Sequence, residues 1–364
     1  MDKHREPLEI ADAVGETGAP TPGMAEAAPQ EEGKRGTPLH QELKVMQFNI
    51  WLGGSEVPGG VEGITDTVAS VEPDVVMLSE STPERVKRLL EDLRKRGLTY
   101  YDNQNKVDPA VISRYPIIEH GSCPFWSKAV VSVGGTEIAA YSGHLEWRYY
   151  VTYLPRGYGG GVPEPLETSE YEWKEIPGGP ITDSALIERL NEASGRKKVT
   201  RAVLEDAAQE RSKGRLTLLA GDFNEPSHQD WDYRARDLFD HHGTDVAWST
   251  TMAIEDAGFR DSYRQINRNP VLTPGFTWPC DNPGAEISQL TWAPKADERD
   301  RIDFVFYHPD KRLQLLDSII VGPPGSIVRS KRVQETGNDR FWRPTWTWPT
   351  DHKVVLSIFQ VTTR

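Results

Sequence analysis

Seven short apolar runs, each the length of a buried strand, restrict the folds open to this chain more than any other feature. They are LKVMQFNI (43–50), DVVMLSE (74–80), AVIS (110–113), EIAAYSGH (137–144), RLTLLAGD (215–222), RIDFVFY (301–307) and VVLSIF (354–359). Short apolar runs rich in β-branched residues and bounded by turn signals read as strands covered on both faces. Helical patterns lie between some of them. In 82–97 Thr82 is placed to cap, and Leu89, Leu90 and Leu93 form an apolar stripe. A second pattern, 250–258, ends at a glycine, and 182–214 reads as one or two helices capped by Thr182 or Asp183. Strands mixed with helices in this way predict a layered α/β or α+β domain.

Residues 1–41 have a different texture. They are rich in Ala, Gly, Pro and Glu and poor in aromatic and β-branched residues, a composition that does not offset the entropy of ordering. The expectation is a disordered tail at 1–41 followed by one folded domain at 42–364. With 55 acidic against 42 basic residues, a net charge of -13 repels polyanions, which disfavours a nucleic-acid backbone or an anionic membrane as partner. The leading MDKHREPLEI lacks the apolar segment of a secretory signal. No later stretch reaches the roughly 18 apolar residues that span a bilayer, so the chain reads as soluble and cytoplasmic. Cys123 and Cys280 are too few for a disulfide scaffold and read as structural thiols.

Several apolar runs close on the same polar types. Asn49, Glu80 and His144 end three of them, Asp222 and Asn224 end a fourth, Asp303 opens the core of RIDF, and Asp351 and His352 precede the last run. Any one of these is an ordinary turn residue. Together they form a set of oxygen donors and imidazoles able to converge at one rim of a sheet. Asp222 and Asn224 stand at i and i+2, so an extended backbone points both one way and Phe223 the other.

Asn49 in MQFNIW, Glu80 in DVVMLSE, ISRYPI (112–117), His144 in SGHL, GDFN (221–224), RIDFVF (301–306) and TDHKVV (350–355) occur in an order and spacing that resembles the endonuclease/exonuclease/phosphatase superfamily. The resemblance covers about residues 43–361. It implies a four-layered α/β sandwich, two mixed β-sheets face to face with helices outside, and a metal-dependent phosphoesterase site at one end of the sheets. The histidine of SGHL resembles the branch containing pancreatic deoxyribonuclease, sphingomyelinases and inositol phosphatases. Phosphoester cleavage needs charge neutralisation on the phosphoryl oxygens, an oriented water and help for the leaving oxygen. Carboxylates of Glu80 and Asp351 with the Asn49 carbonyl suit Mg²⁺ or Mn²⁺. In this reading His352, oriented by Asp303, accepts the proton of the attacking water. Asp222 and Asn224 position water and a phosphoryl oxygen, with Asp222 alternatively on a second metal, and His144 donates from the far side.

The substrate is open at this point, because one fold serves many phosphoesters. The acidic balance favours a small sugar- or nucleotide-like phosphoester over a DNA or RNA nuclease reading. An aromatic, Gly- and Pro-rich insertion at about 146–181 directly follows His144. It reads either as a loop packed on the sandwich or as a lid or wall in which Trp147, Tyr149, Tyr150, Tyr153 or Tyr158 lies on a sugar or base and Arg148 or Arg156 meets a phosphate. Arg114, Trp278, Arg299 and Arg301 are further candidate substrate contacts. The run Arg196, Lys197, Lys198 reads as a solvated helix face.

Overall fold

The computed structural model describes residues 39–363. The strands are, in chain order, β1 (His40–Asn49), β2 (Val75–Ser79), β3 (Tyr101–Asp102), β4 (Ala110–Ser113) and β5 (Ile117–Cys123). Then come β6 (Trp126–Val133), β7 (Thr136–His144), β8 (Leu216–Asp222), β9 (Arg260–Asp261) and β10 (Asp303–Tyr307). The last are β11 (Leu313–Val321), β12 (Gly325–Val328), β13 (Lys331–Gln334), β14 (Phe341–Trp342) and β15 (Val354–Thr362). They form a seven-stranded sheet of order β14-β11-β15-β1-β2-β4-β3, a six-stranded sheet of order β5-β6-β7-β8-β10-β9, and the small hairpin β12-β13. Each of the seven apolar runs is a strand.

Alternation along the strands assigns three apolar layers. Leu43 and Val45 of β1, Val75 and Met77 of β2, Leu218 and Ala220 of β8 and Val305 of β10 face one another between the sheets. Met46, Phe48, Val76 and Leu78 face outward onto Ile64 and Val68 of helix Gly60–Val71 and Val86, Leu89 and Leu93 of helix Pro83–Lys95. Leu219, Phe304 and Phe306 face the opposite outside, onto Val203 and Ala207 of helix Arg196–Ser212 and Ile254 of helix Ser249–Asp256. Sheet on sheet with helices on both outer faces is the four-layered α/β sandwich.

Thr82 occupies the N-cap position of its helix without a side-chain cap bond, whereas the Asp183 carboxylate accepts from the N–H groups of Ala185 and Leu186. The expected tail ends sooner than residue 41, since β1 begins at His40; residues 1–38 of that expectation lie outside the described residues. Among the described residues no helix is long and apolar enough to cross a membrane.

The segment 146–181 packs inward. Tyr149, Val151 and Leu154 join Ile187, Leu190, Trp231 and Trp248 in one cluster, and Tyr150, Tyr153 and Tyr158 join Trp278, Ala293 and Ile302 in another. Arg196 is buried and not solvated as expected. Its guanidinium donates to the carbonyls of Glu146 (2.6 Å) and Tyr149 (2.8 Å) and pairs with the buried Glu225 (3.2 Å), which fastens the start of the insertion to the helix behind it.

Candidate active site

Strand register explains why distant polar residues meet. Asn49 pairs with Ser79 where β1 and β2 run parallel. In the other sheet Asp222 pairs with both His144 and Asp303. With a side-chain period of two, Asn49 continues the inward face of Leu43 and Val45, and Asp222 that of Leu218 and Ala220. The same holds for Asp303 with Val305 and His144 with Ala140. The four residues therefore lie where the inter-sheet core opens at one end. Ser79 stitches the sheets together there, donating to the Gly143 carbonyl (3.1 Å) and accepting from the Asp222 N–H (3.3 Å). A side chain at Gly221 is excluded, since its Cβ would lie 2.1 Å from the Gly143 oxygen.

His352 is the hub. Its Nδ1 lies 2.8 Å from Asp303 Oδ2, and its Nε2 lies 3.7 Å from Asp222 Oδ2, 3.9 Å from Asp351 Oδ1 and 3.3 Å from Asn49 Nδ2. Burial alone would lower the imidazole pKa, but the charges of Asp303, Asp351 and Asp222 outweigh it and hold it at about 10. Asp222 is pushed up to about 6 by burial and by the Asp303 charge, against the opposing pull of His352 and His144. The Asn49 amide donates to Asp222 (2.9 Å) and to Glu80 (3.4 Å), while its carbonyl accepts from the Trp51 N–H (2.9 Å). The carbonyl expected to face a cation is thus turned to the backbone.

Several residues here have a left-handed backbone. Glu80 has φ 61° and Asn224 φ 48°, and residues 51–54 all have positive φ. Left-handed non-glycine residues are uncommon and cluster at functional sites. Asn224 consequently leaves the strand direction: its N–H bonds Asp222 Oδ1 (2.9 Å) and its amide braces the Leu145 carbonyl (3.1 Å). It does not stand beside Asp222 on an extended strand, although Phe223 does point to the outer face as expected.

A second imidazole–carboxylate pair escapes the strand-end pattern. His144 Nδ1 bonds Asp108 Oδ2, and Asp108 is itself fixed by the Ser81 N–H (2.7 Å). Burial would lower the His144 pKa, but the Asp108 carboxylate carries it up to about 9. Asp108 lies in the loop before β4 and closes no apolar run; the only signal for it is the rule that a buried histidine is oriented by a carboxylate.

Other expectations do not hold. Arg114 follows Ser113, which pairs with Val75 at the far end of β2, and it reaches Glu72 (3.4 Å), so it lies at the opposite end of the sheet. Arg156 is buried against Asp300 (2.6 Å), and the Tyr153 hydroxyl donates to Glu298 (2.6 Å). Arg301 is sandwiched between Asp230 (2.8 Å) and Asp261 (2.7 Å), and Arg299 pairs with Asp297 (2.6 Å) and Glu335 (2.7 Å). None of these four is turned to the rim. Trp147 rests on Trp292, ring centroids 6.0 Å apart, and the exposed Arg148 pairs with Glu146. Tyr149, Tyr150 and Tyr158 are buried as well, so these rings pack into the molecule and are not spread over an open rim. Trp278 does reach the site, its indole N–H donating to Asp351 Oδ2 (3.2 Å).

The donor set fits a hard divalent cation. Carboxylates of Asp222, Asp303 and Asp351 crowd around one imidazole, and ligand atoms of Asp222, Asp303 and His352 all lie within 4.8 Å of one another. Buried Asp303 Oδ1 and His144 Nε2 have no hydrogen-bond partner among the described residues. His352 and Asp303 are bonded to each other at 2.8 Å.

The family model described as "Endonuclease/Exonuclease/phosphatase family" matches residues 46–352. An uncharacterized Caenorhabditis elegans protein, F14F9.5, is 28% identical over 268 residues, 73% of this chain and 78% of that protein. Among solved structures, D. rerio TDP2 complexed with single strand DNA product is similar at TM-score 0.48 and 16% identity, covering 87% of this chain and 98% of that one. A family protein from Bacteroides thetaiotaomicron is similar at TM-score 0.47 and 16% identity, covering 90% of this chain and 100% of that one. The match over residues 46–352, on the sandwich described above, shows that this chain belongs to the endonuclease/exonuclease/phosphatase family of hydrolases.

Proposed function

We propose that the chain is a Mg²⁺- or Mn²⁺-dependent phosphoester hydrolase that acts on a small sugar- or nucleotide-like phosphoester by in-line attack of water. The observation that carries this reading is the convergence on His352 of Asp303, Asp222, Asp351 and Asn49 at the open end of the inter-sheet core. Glu80, Asp351 and Asp222 would hold the cation, and a rotated Asn49 amide would add its carbonyl. When bound, the cation neutralises phosphoryl oxygens and acidifies a water. Asp303 fixes the His352 ring through Nδ1, so that Nε2 is presented to the reacting volume. Nε2 and Asp222 Oδ2 face that volume 3.7 Å apart; with the His352 imidazole held protonated by its carboxylates, Asp222 is the group that accepts the proton of the attacking water. His144, held by Asp108, turns Nε2 toward a phosphoryl or leaving oxygen and donates to it. The Asn224 amide braces the loop after His144, which keeps that donor in place.

The net charge of -13 supports a small ester over a long polyanion. The test is hydrolysis of nitrophenyl phosphates, nucleotides, sugar phosphates, inositol phosphates and plasmid DNA with Mg²⁺, Mn²⁺ or EDTA, with Asp222→Ala as the blank. The expected outcome is cation-dependent release from small esters, a drop of about 10³-fold or more in the variant, and intact plasmid. Turnover in EDTA, or an active Asp222→Ala, contradicts the site; rapid plasmid nicking puts a nuclease in place of the small-ester reading.

A further inference from the structure

Beside Glu80 the surface opens into a crevice of about 320 Å³ between the turn after β1 and helix Pro83–Lys95. Its floor is apolar, with Ile50, Val61 and Ile64, and Leu52, Arg85 and Arg88 line it further. Two bonds join the crevice to the catalytic rim through one residue. The Leu52 N–H donates to Glu80 Oε2 (2.8 Å), and Arg85 Nη1 donates to the Glu80 carbonyl (2.9 Å). The Arg85 stem lies flat on Gly53, where a Cβ would come within 2.7 Å of Arg85 Cδ and where φ is +72°. The missing side chain at Gly53 leaves room for this stem, which sets the guanidinium beside the residue that also lines the reacting volume. Among the described residues Arg85 forms no ion pair, and Arg88 is only loosely paired with Asp92 at 3.9 Å. Glu84 is the one carboxylate lining the crevice, against two guanidinium groups.

We infer that this crevice is a substrate subsite for a second anion: it takes the part of the ester beyond the scissile phosphorus, an apolar or aromatic group that carries a further phosphate. The inference rests on the phosphoesterase reading for its position next to the reacting bond. The apolar floor receives the ring, and Arg85 and Arg88 receive the phosphate through charge-assisted bonds. The volume matches the lower end of small-ligand pockets. Arg85 also explains how an acidic protein attracts an anionic substrate: the attraction is local, at the entrance to the site.

A matched pair of esters tests this, thymidine 5′-(p-nitrophenyl phosphate) and the same compound phosphorylated at the 3′ position. Wild type is expected to favour the 3′-phosphorylated ester by about tenfold or more in kcat/KM, and the ratio falls to near one in the Arg85→Gln, Arg88→Gln double variant. Calorimetry in EDTA gives an arm independent of turnover. Thymidine 3′,5′-bisphosphate is expected to bind wild type about tenfold tighter than it binds the double variant, whereas thymidine 5′-phosphate separates the two far less. A wild-type ratio near one, or a ratio and a binding difference untouched by the substitutions, overturns the subsite. Absent turnover of both esters with the binding difference intact overturns the phosphoesterase reading and leaves the subsite standing.

Discussion

Two regions of this molecule bury carboxylates among aromatic rings, and they treat them in opposite ways. Under the insertion, Asp300 accepts from Arg156 (2.6 Å), the Tyr150 hydroxyl (2.8 Å) and the Trp231 indole (3.0 Å). Its neighbour Glu298 accepts from Tyr153 and from the N–H groups of Trp292 and Ala293. Each charge has fixed donors supplied by the chain. At the rim, Asp222 and Asp303 share a single imidazole, and Asp303 Oδ1 has no partner among the described residues. A carboxylate with its own cation and donors serves stability, whereas carboxylates that share one imidazole are retained for something that binds. Residue type alone does not separate the two regions; the sharing of one imidazole by two carboxylates does.

The contrast is open to attack by substitution. Arg156→Ala strips the cation from a fully buried carboxylate, and we expect a loss of about 3–5 kcal/mol in unfolding free energy by denaturant titration. A loss below about 1 kcal/mol would erase the distinction between the regions. A third buried carboxylate, Glu210, sharpens it. Lys128 (3.0 Å), Lys213 (3.0 Å) and Arg215 (2.5 Å) surround it. Burial would raise its pKa, but bonds to these three cations draw it from 4.5 down to about 2. With a depressed folded pKa, its contribution is present above about pH 4.5 and is lost as pH falls toward 2. Glu210→Gln should therefore cost roughly 2 kcal/mol at pH 7, and the difference from wild type should fade as unfolding is followed down to acid pH. A cost that does not change with pH would assign Glu210 to packing alone. Tyr150→Phe should have the smallest effect, about 1 kcal/mol for one hydrogen bond to Asp300, with turnover nearly unchanged.

Much of the fold is written in the sequence because strands covered on both faces leave continuous apolar runs, and all seven such runs are strands. The rim residues Asn49, His144, Asp222 and Asp303 are visible for the same reason: each is the polar position at which an inward face ends. What the sequence hides is three-dimensional pairing. Arg114 sits in a motif of the right order but at the wrong end of an antiparallel strand, a fact only register reveals. Asp108 acts through a loop that follows no period. Tyr153, Arg156 and Arg301 have the composition of a ligand wall, yet their partners Glu298, Asp300 and Asp230 are far away in the chain or look like solvated charges. Arg196 shows the same effect in reverse, a buried clamp that sequence context presents as a surface charge.

The central claim is that the rim carboxylates are arranged for a cation rather than for the fold. Thermal unfolding of wild type and Asp222→Asn, each in EDTA and in excess Mg²⁺, tests it most directly. The account predicts that Mg²⁺ at about 100 times its Kd raises the wild-type Tm by about 5 °C. Asp222→Asn should match or exceed wild type in EDTA and lose most of that rise. A wild-type Tm indifferent to Mg²⁺, together with an Asp222→Asn protein destabilised in EDTA as strongly as Arg156→Ala, would contradict it.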